Sequence, residues 1–214
     1  MKIKFFKSTD KDHFFWDFDG VIKNSLEAKA FAFEKLFLEF GKRFSLRVRK
    51  HHEENLGVSR FKKISLYLDW LNKDNSESEI FKYSKKYSEI VKQSVIESPW
   101  VVGAEEILGD LSKSKNFYMV SSTPENELKE ILESLGIKKY FLKIIGSPIE
   151  KSFAIKSIIK TYSINKNRSV FIGDTIIDYK AAKQNGIEFI LVKNKFNVNL
   201  QHKLNCSMIN NYYE

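Results

Sequence analysis

The alternation of strand and helix signals between Pro99 and Val192 constrains the fold of this chain more than any other feature. Amphipathic helical patterns separate short runs of β-branched and aromatic residues, and these predicted strands cover 116–120, 140–145, 170–172 and 187–192. Strands that are joined through helices pair in parallel, because each helix returns the chain to the starting edge of the sheet. The alternation therefore predicts an α/β fold in which helices cover both faces of a Rossmann-like parallel sheet.

A further strand is predicted upstream, over the aromatic run from His13 to Trp16, and it ends in Asp17-Phe18-Asp19-Gly20. In an extended chain, Asp17 and Asp19 project to the same side. Two close carboxylates repel each other unless a cation lies between them or one of them is protonated. The stretch therefore indicates either an active site at a strand end or an ordinary acidic turn, since Asp and Gly are common turn residues.

Residues 23–97 carry only helical signals. The first predicted helix has an apolar stripe that consists of Leu26, Ala30, Phe33, Phe37 and Phe40. Further helices are predicted over 46–56, from Ser59, and from Ser76 to Pro99. We therefore expect an α/β core domain formed by 1–22 and 98–214, with an all-helical domain over 23–97 inserted after the first strand.

Local signals predict where several helices begin. Asn24 with Glu27, and Ser76 with Glu79, have the spacing of capping boxes. Thr123 followed by Pro124 predicts an N-cap with proline at the first helical position, and Ser147-Pro148 predicts another helix start of the same kind. The asparagine-rich segment after Lys193 carries no interpretable signal.

Polar residues follow three of the predicted strands at the point where each strand ends. They are Asp17, Asp19, Ser121, Ser122, Gly173 and Asp174, with Asp178 one turn into the following helix. Ligands of open parallel sheets bind beyond the carboxyl ends of the strands. We therefore expect a site at this edge, covered by the inserted helices.

Composition narrows the classes of partner. The chain of 214 residues is 43% hydrophobic, which is enough for a packed core, and its formal charge is +9. The lysines are scattered among acids, and the densest basic stretch, 42–52, runs directly into Glu53 and Glu54. This pattern favours a solvated helix face over a polyanion site, so nucleic acid is not an expected partner.

The single cysteine, Cys206, excludes an intramolecular disulfide and a zinc-binding cysteine cluster. The lysine-rich N-terminus shows no signal peptide, and no apolar run approaches the roughly 20 residues of a membrane span. We expect a cytoplasmic protein with no membrane partner, as a monomer or homodimer.

The residues at the strand ends resemble the four motifs of haloacid dehalogenase (HAD) superfamily hydrolases. The first motif corresponds to Asp17-Phe18-Asp19-Gly20-Val21 and the second to Ser121 after an apolar run. The third corresponds to Lys151, and the fourth to Gly173-Asp174-Thr175-Ile176-Ile177-Asp178. The resemblance spans residues 13–192 and implies a HAD-like core with an inserted helical cap domain, as in the group of phosphoglycolate phosphatase and β-phosphoglucomutase.

The resemblance implies roles for these side chains. Asp17 would be the nucleophile that forms an aspartyl-phosphate, and Asp19 would carry protons to and from the reacting oxygens. Mg²⁺ would be held by the Asp17 carboxylate, the Asp19 backbone carbonyl and Asp174. The remaining residues would surround these groups: Ser121 and Ser122 as hydrogen-bond donors to the phosphoryl oxygens, Lys151 as the cation that neutralises phosphate charge, and Asp178 as a residue that fixes Lys151 or a metal-bound water. Ordinary helix caps, a solvated lysine and an acid at a helix start remain the alternatives for this second set.

The cap would determine the substrate. Leu56-Gly57-Val58-Ser59-Arg60 resembles the cap loop of β-phosphoglucomutase, which makes Arg60 a candidate contact for a second charged group of the substrate. A surface arginine at a helix start is the alternative. Lys29 could line the entrance, although a solvated lysine is the simpler interpretation.

The predicted function is a Mg²⁺-dependent phosphomonoester hydrolase that acts on a small phosphorylated metabolite, similar to phosphoglycolate phosphatase. A sugar phosphomutase is the alternative, but its fourth motif has an acid where this chain has Gly173. Two other classes are a catalytically silent module that binds sugar phosphates and a nucleic-acid binder. A dehalogenase is disfavoured, because those relatives lack the second carboxylate, here Asp19.

Overall fold

A computed structural model describes Phe6 and residues 9–213 of the chain. Among these residues the strands are β1 (His13–Trp16), β2 (Asn116–Pro124), β3 (Phe141–Ser147), β4 (Ser169–Gly173), β5 (Glu188–Val192) and β6 (Ser207–Ile209). They form a parallel sheet in the order β3-β2-β1-β4-β5-β6. The predicted α/β class is thereby confirmed, and β1 lies in the middle of the sheet with its carboxyl end between those of β2 and β4.

The α-helices of the described residues are α1 (Leu26–Leu36), α2 (Lys42–Glu54), α3 (Arg60–Trp70), α4 (Glu77–Glu97), α5 (Ala104–Leu111), α6 (Glu125–Ser134), α7 (Lys151–Thr161), α8 (Ile176–Asn185) and α9 (Val198–Lys203). Short 3₁₀ turns occupy Leu38–Phe40, Lys138–Tyr140 and Lys166–Arg168. Helices α1–α4 all lie between β1 and α5 in the chain, as expected for an inserted helical segment. None of the described helices is long and apolar enough to cross a membrane.

The side chains of β1 pack into both faces of the sheet. Phe14 and Trp16 belong to one hydrophobic cluster, and Phe15 belongs to a second one that includes residues of α7 and α8. Alternate residues of a strand point to opposite faces, so complete burial of all three shows that helices cover the sheet on both sides.

An aromatic core holds α1–α4 together. The ring of Phe33 on α1 lies 4.2 Å from that of Tyr87 on α4 and 5.7 Å from that of Tyr67 on α3, measured between centroids. Phe37 stacks on Tyr83 at 5.6 Å. The apolar stripe predicted on the first helix therefore faces the interior of this helical segment.

Several predicted helix starts differ from the observed ones. Ser25 precedes α1, and neither it nor Ser76 at α4 forms a side-chain cap, so both predicted capping boxes are wrong. The strand β2 continues to Pro124, which makes Pro124 itself the N-cap of α6. The Thr123 hydroxyl donates to the carboxylate of Asp19 instead, because this tertiary hydrogen bond is favoured over a local helix cap.

Two further boundaries differ from the sequence prediction. Helix α2 begins at Lys42, four residues before the predicted start at Leu46, and α7 begins at Lys151 instead of next to Ser147-Pro148. The segment after Lys193, for which no structure was predicted, forms α9 and β6.

Candidate active site

The carboxyl ends of β1, β2 and β4 bring the polar residues of the predicted site together. Asp17 directly follows β1, and its backbone N–H donates to the carbonyl of Ile172 on β4 at 2.9 Å. A cavity of about 530 Å³, including its opening to solvent, lies over these strand ends and is bounded on its far side by α1–α3. Its lining includes Asp17, Asp19, Ser121, Ser122, Lys151 and Asp174.

Lys151 links two acids at the base of the cavity. Its Nζ lies 2.8 Å from Asp17 Oδ2 and donates to Asp178 Oδ1 at 2.6 Å. All three side chains are buried. Burial alone would lower the pKa of Lys151, but the two carboxylates raise it above its usual value, so the lysine stays charged.

Asp178 also organises the start of α8. Its Oδ2 accepts from the backbone N–H of Thr175 at 3.0 Å, and its own N–H donates to Thr175 Oγ1 at 3.4 Å, which together form a capping box. The residue therefore combines the two roles that its sequence position offered, a first-turn acid and a partner of Lys151.

The carboxylates of Asp17, Asp174 and Asp178 are crowded. One oxygen of each lies within 4.8 Å of the others, and Asp174 Oδ1 is buried without a hydrogen-bond partner among the described residues. Burial and the neighbouring carboxylates raise the pKa of Asp17 to about 7 against the opposing effect of Lys151, and they raise that of Asp174 well above its usual value. A divalent cation with oxygen ligands would offset this repulsion, so the donor set fits such an ion.

Gly20 permits this close packing. It has a φ of +75°, and a Cβ at this position would collide with the carboxylate of Asp174. A residue with a side chain would therefore be both strained and in contact with the acidic cluster.

Asp19 is turned toward the inserted helices and away from the acidic cluster. Its carboxylate accepts from Ser25 Oγ at 2.6 Å and Thr123 Oγ1 at 3.2 Å, and it forms an ion pair with Lys29. Burial by itself would raise the pKa of Asp19, but Lys29 and the two hydroxyls hold it below its usual value. Lys29 is therefore a partly buried partner of Asp19 and not the solvated lysine of the simpler interpretation.

The two serines after β2 have different partners. Ser121 Oγ accepts from the backbone N–H of Thr123 at 3.3 Å, whereas Ser122 Oγ donates to the carbonyl of Gly57 at 2.6 Å. Gly57 has a φ of +81°, and a Cβ there would approach Thr175 Oγ1. The loop before α3 thus contacts the sheet edge closely on two sides.

Arg60 lines the cavity, but its guanidinium is engaged. It forms a bidentate pair with Glu127 on α6, with distances of 2.7 and 2.5 Å, and it donates to Ser88 Oγ at 2.7 Å. Arg60 and Glu127 are 5% and 7% exposed, so the surface alternative is wrong. Its predicted contact with substrate stays a prediction, since the observed partner is an acid of this chain.

Comparison with known proteins agrees with this geometry. A family profile described as haloacid dehalogenase-like hydrolase matches residues 14–192, which is most of the chain. The chain belongs to this family. The motifs that suggested the resemblance thus lie within one continuous match that also includes the inserted helices.

Individual relatives of the HAD-like family are distant. A phosphoglycolate phosphatase of Pseudomonas fluorescens is 24% identical over 85% of this chain and 69% of its own length. A predicted phosphoglycolate phosphatase of Haemophilus somnus has a similar structure, with a TM-score of 0.77, 16% identity and 96% coverage of both chains. A β-phosphoglucomutase of Clostridium difficile has a TM-score of 0.73 at 21% identity, over 95% of this chain and 92% of its own.

The sequence analysis missed two residues of this HAD-like site. Asn194 Nδ2 donates to Asp174 Oδ2 at 2.9 Å, and Asn197 Nδ2 donates to the backbone carbonyls of Asp174 and Val192, both at 2.8 Å. Both asparagines follow β5, whose carboxyl end is next to that of β4. Their position after a strand end was a signal that could have identified them.

Proposed function

We propose that this HAD-like hydrolase is a Mg²⁺-dependent phosphatase that acts on a small phosphorylated metabolite, as a phosphoglycolate phosphatase does. The arrangement of Asp17, Lys151 and Asp174 carries the proposal, because it joins a nucleophile, a fixed cation and a metal ligand in a cavity that the inserted helices bound. Helices α1–α4 act as the cap domain, with its boundaries at residues 23 and 97. Their position over the strand ends favours a small substrate.

The chemistry proceeds in two displacements. An Asp17 carboxylate oxygen forms a bond to phosphorus while the ester oxygen leaves with a proton from Asp19, which gives an aspartyl-phosphate and the free alcohol. Asp19 then takes a proton from water, whose oxygen attacks phosphorus and releases inorganic phosphate and the Asp17 carboxylate. The charge of a phosphoryl group beside Asp19 raises its pKa and favours the protonated form that the first step needs.

Lys151 and the residues after β2 support these displacements. The ammonium of Lys151 lies against Asp17, where it favours the ionised carboxylate against the effect of burial and attracts the phosphoryl oxygens. The hydroxyl of Ser121 and the backbone N–H groups near Ser122 serve as donors to those oxygens. Asp178 keeps Lys151 in place through their hydrogen bond.

Mg²⁺ would be held by Asp17, Asp174 and the backbone carbonyl of Asp19, and when bound it neutralises charge on the phosphoryl group and lets the carboxylates approach one another. Asp174 contributes its unpartnered oxygen, and Asn194 orients the other. Because Asn194 forms a hydrogen bond with only one oxygen of the Asp174 carboxylate, the other oxygen would be available to a cation.

A sugar phosphomutase is the second candidate, because one structural relative is a β-phosphoglucomutase. Gly173 supports the phosphatase. A Cβ at this position would overlap the side chain of Asp178, so the site as built excludes the acid that the mutase motif has there. The intact set of acids and Lys151 disfavours a catalytically silent sugar-phosphate binding module.

The first prediction tests the nucleophile. We expect the wild-type chain to release phosphate from an aryl phosphate only when Mg²⁺ is present, and Asp17→Asn to lower kcat by at least roughly 10³-fold, because an amide cannot replace the carboxylate as nucleophile. Asp10→Asn removes an exposed acid outside the cavity and should match the wild type.

Two outcomes would contradict the proposal. If the wild type shows no phosphate release, while it binds duplex DNA with a steep salt dependence, the hydrolase assignment fails. If a hexose 1-phosphate is converted to its isomer without phosphate release, the mutase is correct.

A further inference from the structure

The part of the cavity wall formed by the inserted helices carries four basic side chains. Lys29, His52, Arg60 and Lys63 line it from α1, α2 and α3. Lys29 is paired with Asp19, and Arg60 with Glu127. Lys63 and His52 form no ion pair with a carboxylate in the part of the chain that the structure describes. We call these two residues the Lys63–His52 pair. Unlike Lys29 and Arg60, they have no carboxylate partner among the described residues.

The Lys63–His52 pair is deeply buried. Lys63 Nζ lies 2.9 Å from His52 Nδ1, and the residues are 2% and 5% exposed. When Lys63 is protonated its ammonium can only donate, so in that state Nδ1 is the acceptor and the neutral imidazole carries its proton on Nε2. That atom is buried and has no hydrogen-bond partner among the described residues.

Each of these features is costly in an empty site. A protonated Lys63 has only His52 Nδ1 and, at 3.5 Å, the His52 backbone carbonyl as acceptors, and no counter-charge among the described residues. The protein therefore replaces the lost hydration of this ammonium only in part, and that of the His52 Nε2–H not at all among the described residues. Burial, together with the smaller effect of the nearby charge of Lys29, lowers the pKa of Lys63 to about 7. An anion next to the pair would supply both the counter-charge and the acceptor.

We propose that the Lys63–His52 pair binds a second anionic group of the substrate, a carboxylate or a second phosphate. This inference rests on the proposed phosphatase, whose reacting phosphoryl group occupies the other end of the same cavity. The predicted contact with the second anionic group is thereby assigned to Lys63 and not to Arg60, whose charge Glu127 neutralises. Lys63 has no carboxylate partner among the described residues. The apolar walls formed by Phe33, Leu56 and Val58 limit the cavity to compact substrates.

Anion binding should be coupled to proton uptake. The titratable or charged groups around the pair are Lys29 on α1, His51 on α2, Arg60 and Tyr67 on α3, Tyr87 on α4, Glu127 on α6 and, after β1, Asp19. Asp19 is paired with Lys29. Glu127 is neutralised by Arg60, so no free acid among these groups compensates Lys63. A bound anion raises the pKa of Lys63 and therefore draws a proton from solvent at a pH somewhat above neutrality.

The second prediction is tested by calorimetric titration in the Asp17→Asn background, where no turnover consumes the ligand. The probes are 2-phosphoglycolate, ethylene glycol bisphosphate and ethyl phosphate, which lacks a second anion. We expect one or both two-anion probes to bind at least roughly 10-fold more tightly than ethyl phosphate, with uptake of up to one proton near pH 8. The more favoured two-anion probe identifies the group as a carboxylate or a phosphate.

Lys63→Met should reduce this preference to less than about 2-fold and abolish the proton uptake, because the side chain keeps its length but loses its charge. Lys62→Met is the matched control, since the adjacent lysine is exposed and pairs with Glu150 outside the cavity. A preference that survives in Lys63→Met, or is absent in the parent, overturns the inference. Hydrolysis of an aryl phosphate by the wild type is measured separately. It tests the proposed phosphatase activity independently of the inference about the Lys63–His52 pair.

Discussion

Asp174 depends on side chains that come from a distant part of the chain. Asn194 binds its carboxylate, and Asn197 binds its backbone carbonyl and that of Val192. The hydrogen bond from Asn194 occupies one carboxylate oxygen, and the other has no hydrogen-bond partner among the described residues. At the scale of single residues, Asn194 thus determines which carboxylate oxygen of Asp174 would be available to a cation.

The third prediction concerns Asn194. Asn194→Ala should raise the Mg²⁺ concentration needed for half-maximal phosphatase activity by roughly 10-fold or more, since loss of a group that orients a metal ligand typically weakens metal binding to this extent. The measurement is a Mg²⁺ titration of aryl phosphate hydrolysis. Asn199→Ala, an exposed asparagine on α9, serves as the control, and an unchanged requirement in Asn194→Ala would separate this residue from the metal site.

Asp19 shows how one side chain links the sheet to the inserted helices. It accepts hydrogen bonds from Ser25 and from Thr123, and it forms an ion pair with Lys29 on α1. The proton carrier of the proposed mechanism is therefore held by residues from the core and from the cap. Movement of α1 would change the environment of this carboxyl group directly.

At the scale of elements, two ion pairs connect the helical segment to α6. Arg60 on α3 meets Glu127 in a buried pair, whereas Lys92 on α4 meets Glu130 in an exposed one. Burial alone would raise the pKa of Glu127, but Arg60 and Ser88 hold it below its usual value. Loss of one partner from a buried pair leaves the other charge buried and unpaired. The two pairs should therefore differ greatly in their contribution to the free energy of unfolding.

The fourth prediction uses this contrast. Arg60→Met should lower the free energy of unfolding by about 3–5 kcal/mol, and Arg60→Met/Glu127→Met should restore much of the loss, because the pair is then replaced by apolar side chains. Lys92→Met should cost at most about 1 kcal/mol. The measurement is denaturant unfolding. Equal losses of unfolding free energy in the single and double variants would show that the loss of Arg60 does not leave an unpaired, buried charge on Glu127.

The same Arg60 variant also tests the specificity that its sequence position suggested. A contact with substrate would raise KM for 2-phosphoglycolate much more than for an aryl phosphate. Since Glu127 already neutralises the guanidinium, we expect Arg60→Met to raise the two KM values to a similar extent.

At the scale of the whole molecule, burial of Lys63 makes stability depend on pH. The pKa of Lys63 is about 7 in the folded chain, against a usual value of 10.5. Between these values the unfolded chain binds a proton that the folded chain does not, so the contribution of this residue to stability increases as the pH rises. Below pH 7 Lys63 is protonated in both the folded and the unfolded chain. The folded chain then bears the full free-energy cost of burying this charge.

The fifth prediction is the difference between wild type and Lys63→Met. The free energy of unfolding of the wild type, relative to that of the variant, should rise by a few kcal/mol at most from about pH 7 to about pH 10. Unfolding by denaturant at several pH values measures it, and other titrating groups cancel in the difference. A flat or falling difference would mean that Lys63 keeps an ordinary pKa in the folded chain.

Local patterns in the sequence were sufficient for the class of fold and for the residues at the strand ends. Alternating strand and helix signals require a parallel sheet, and a parallel sheet places all strand ends at the same edge. Asp17, Ser121, Lys151, Asp174 and Asp178 therefore come together as their sequence positions predicted, while their individual roles stay predictions. The confirmed α/β class and the family match follow from this same local order.

Tertiary structure alone decided which partner each long polar side chain has. Arg60 meets Glu127, Lys29 meets Asp19, Lys63 meets His52, and Asn194 meets Asp174. Periodicity shows which face of an element is buried, but it does not show which polar groups share that buried space. Thr123 illustrates the same limit, because its hydroxyl binds Asp19 across the sheet edge where its local sequence predicted a helix cap. Such contacts join residues on different elements, so their energies enter only when the fold brings the two groups together.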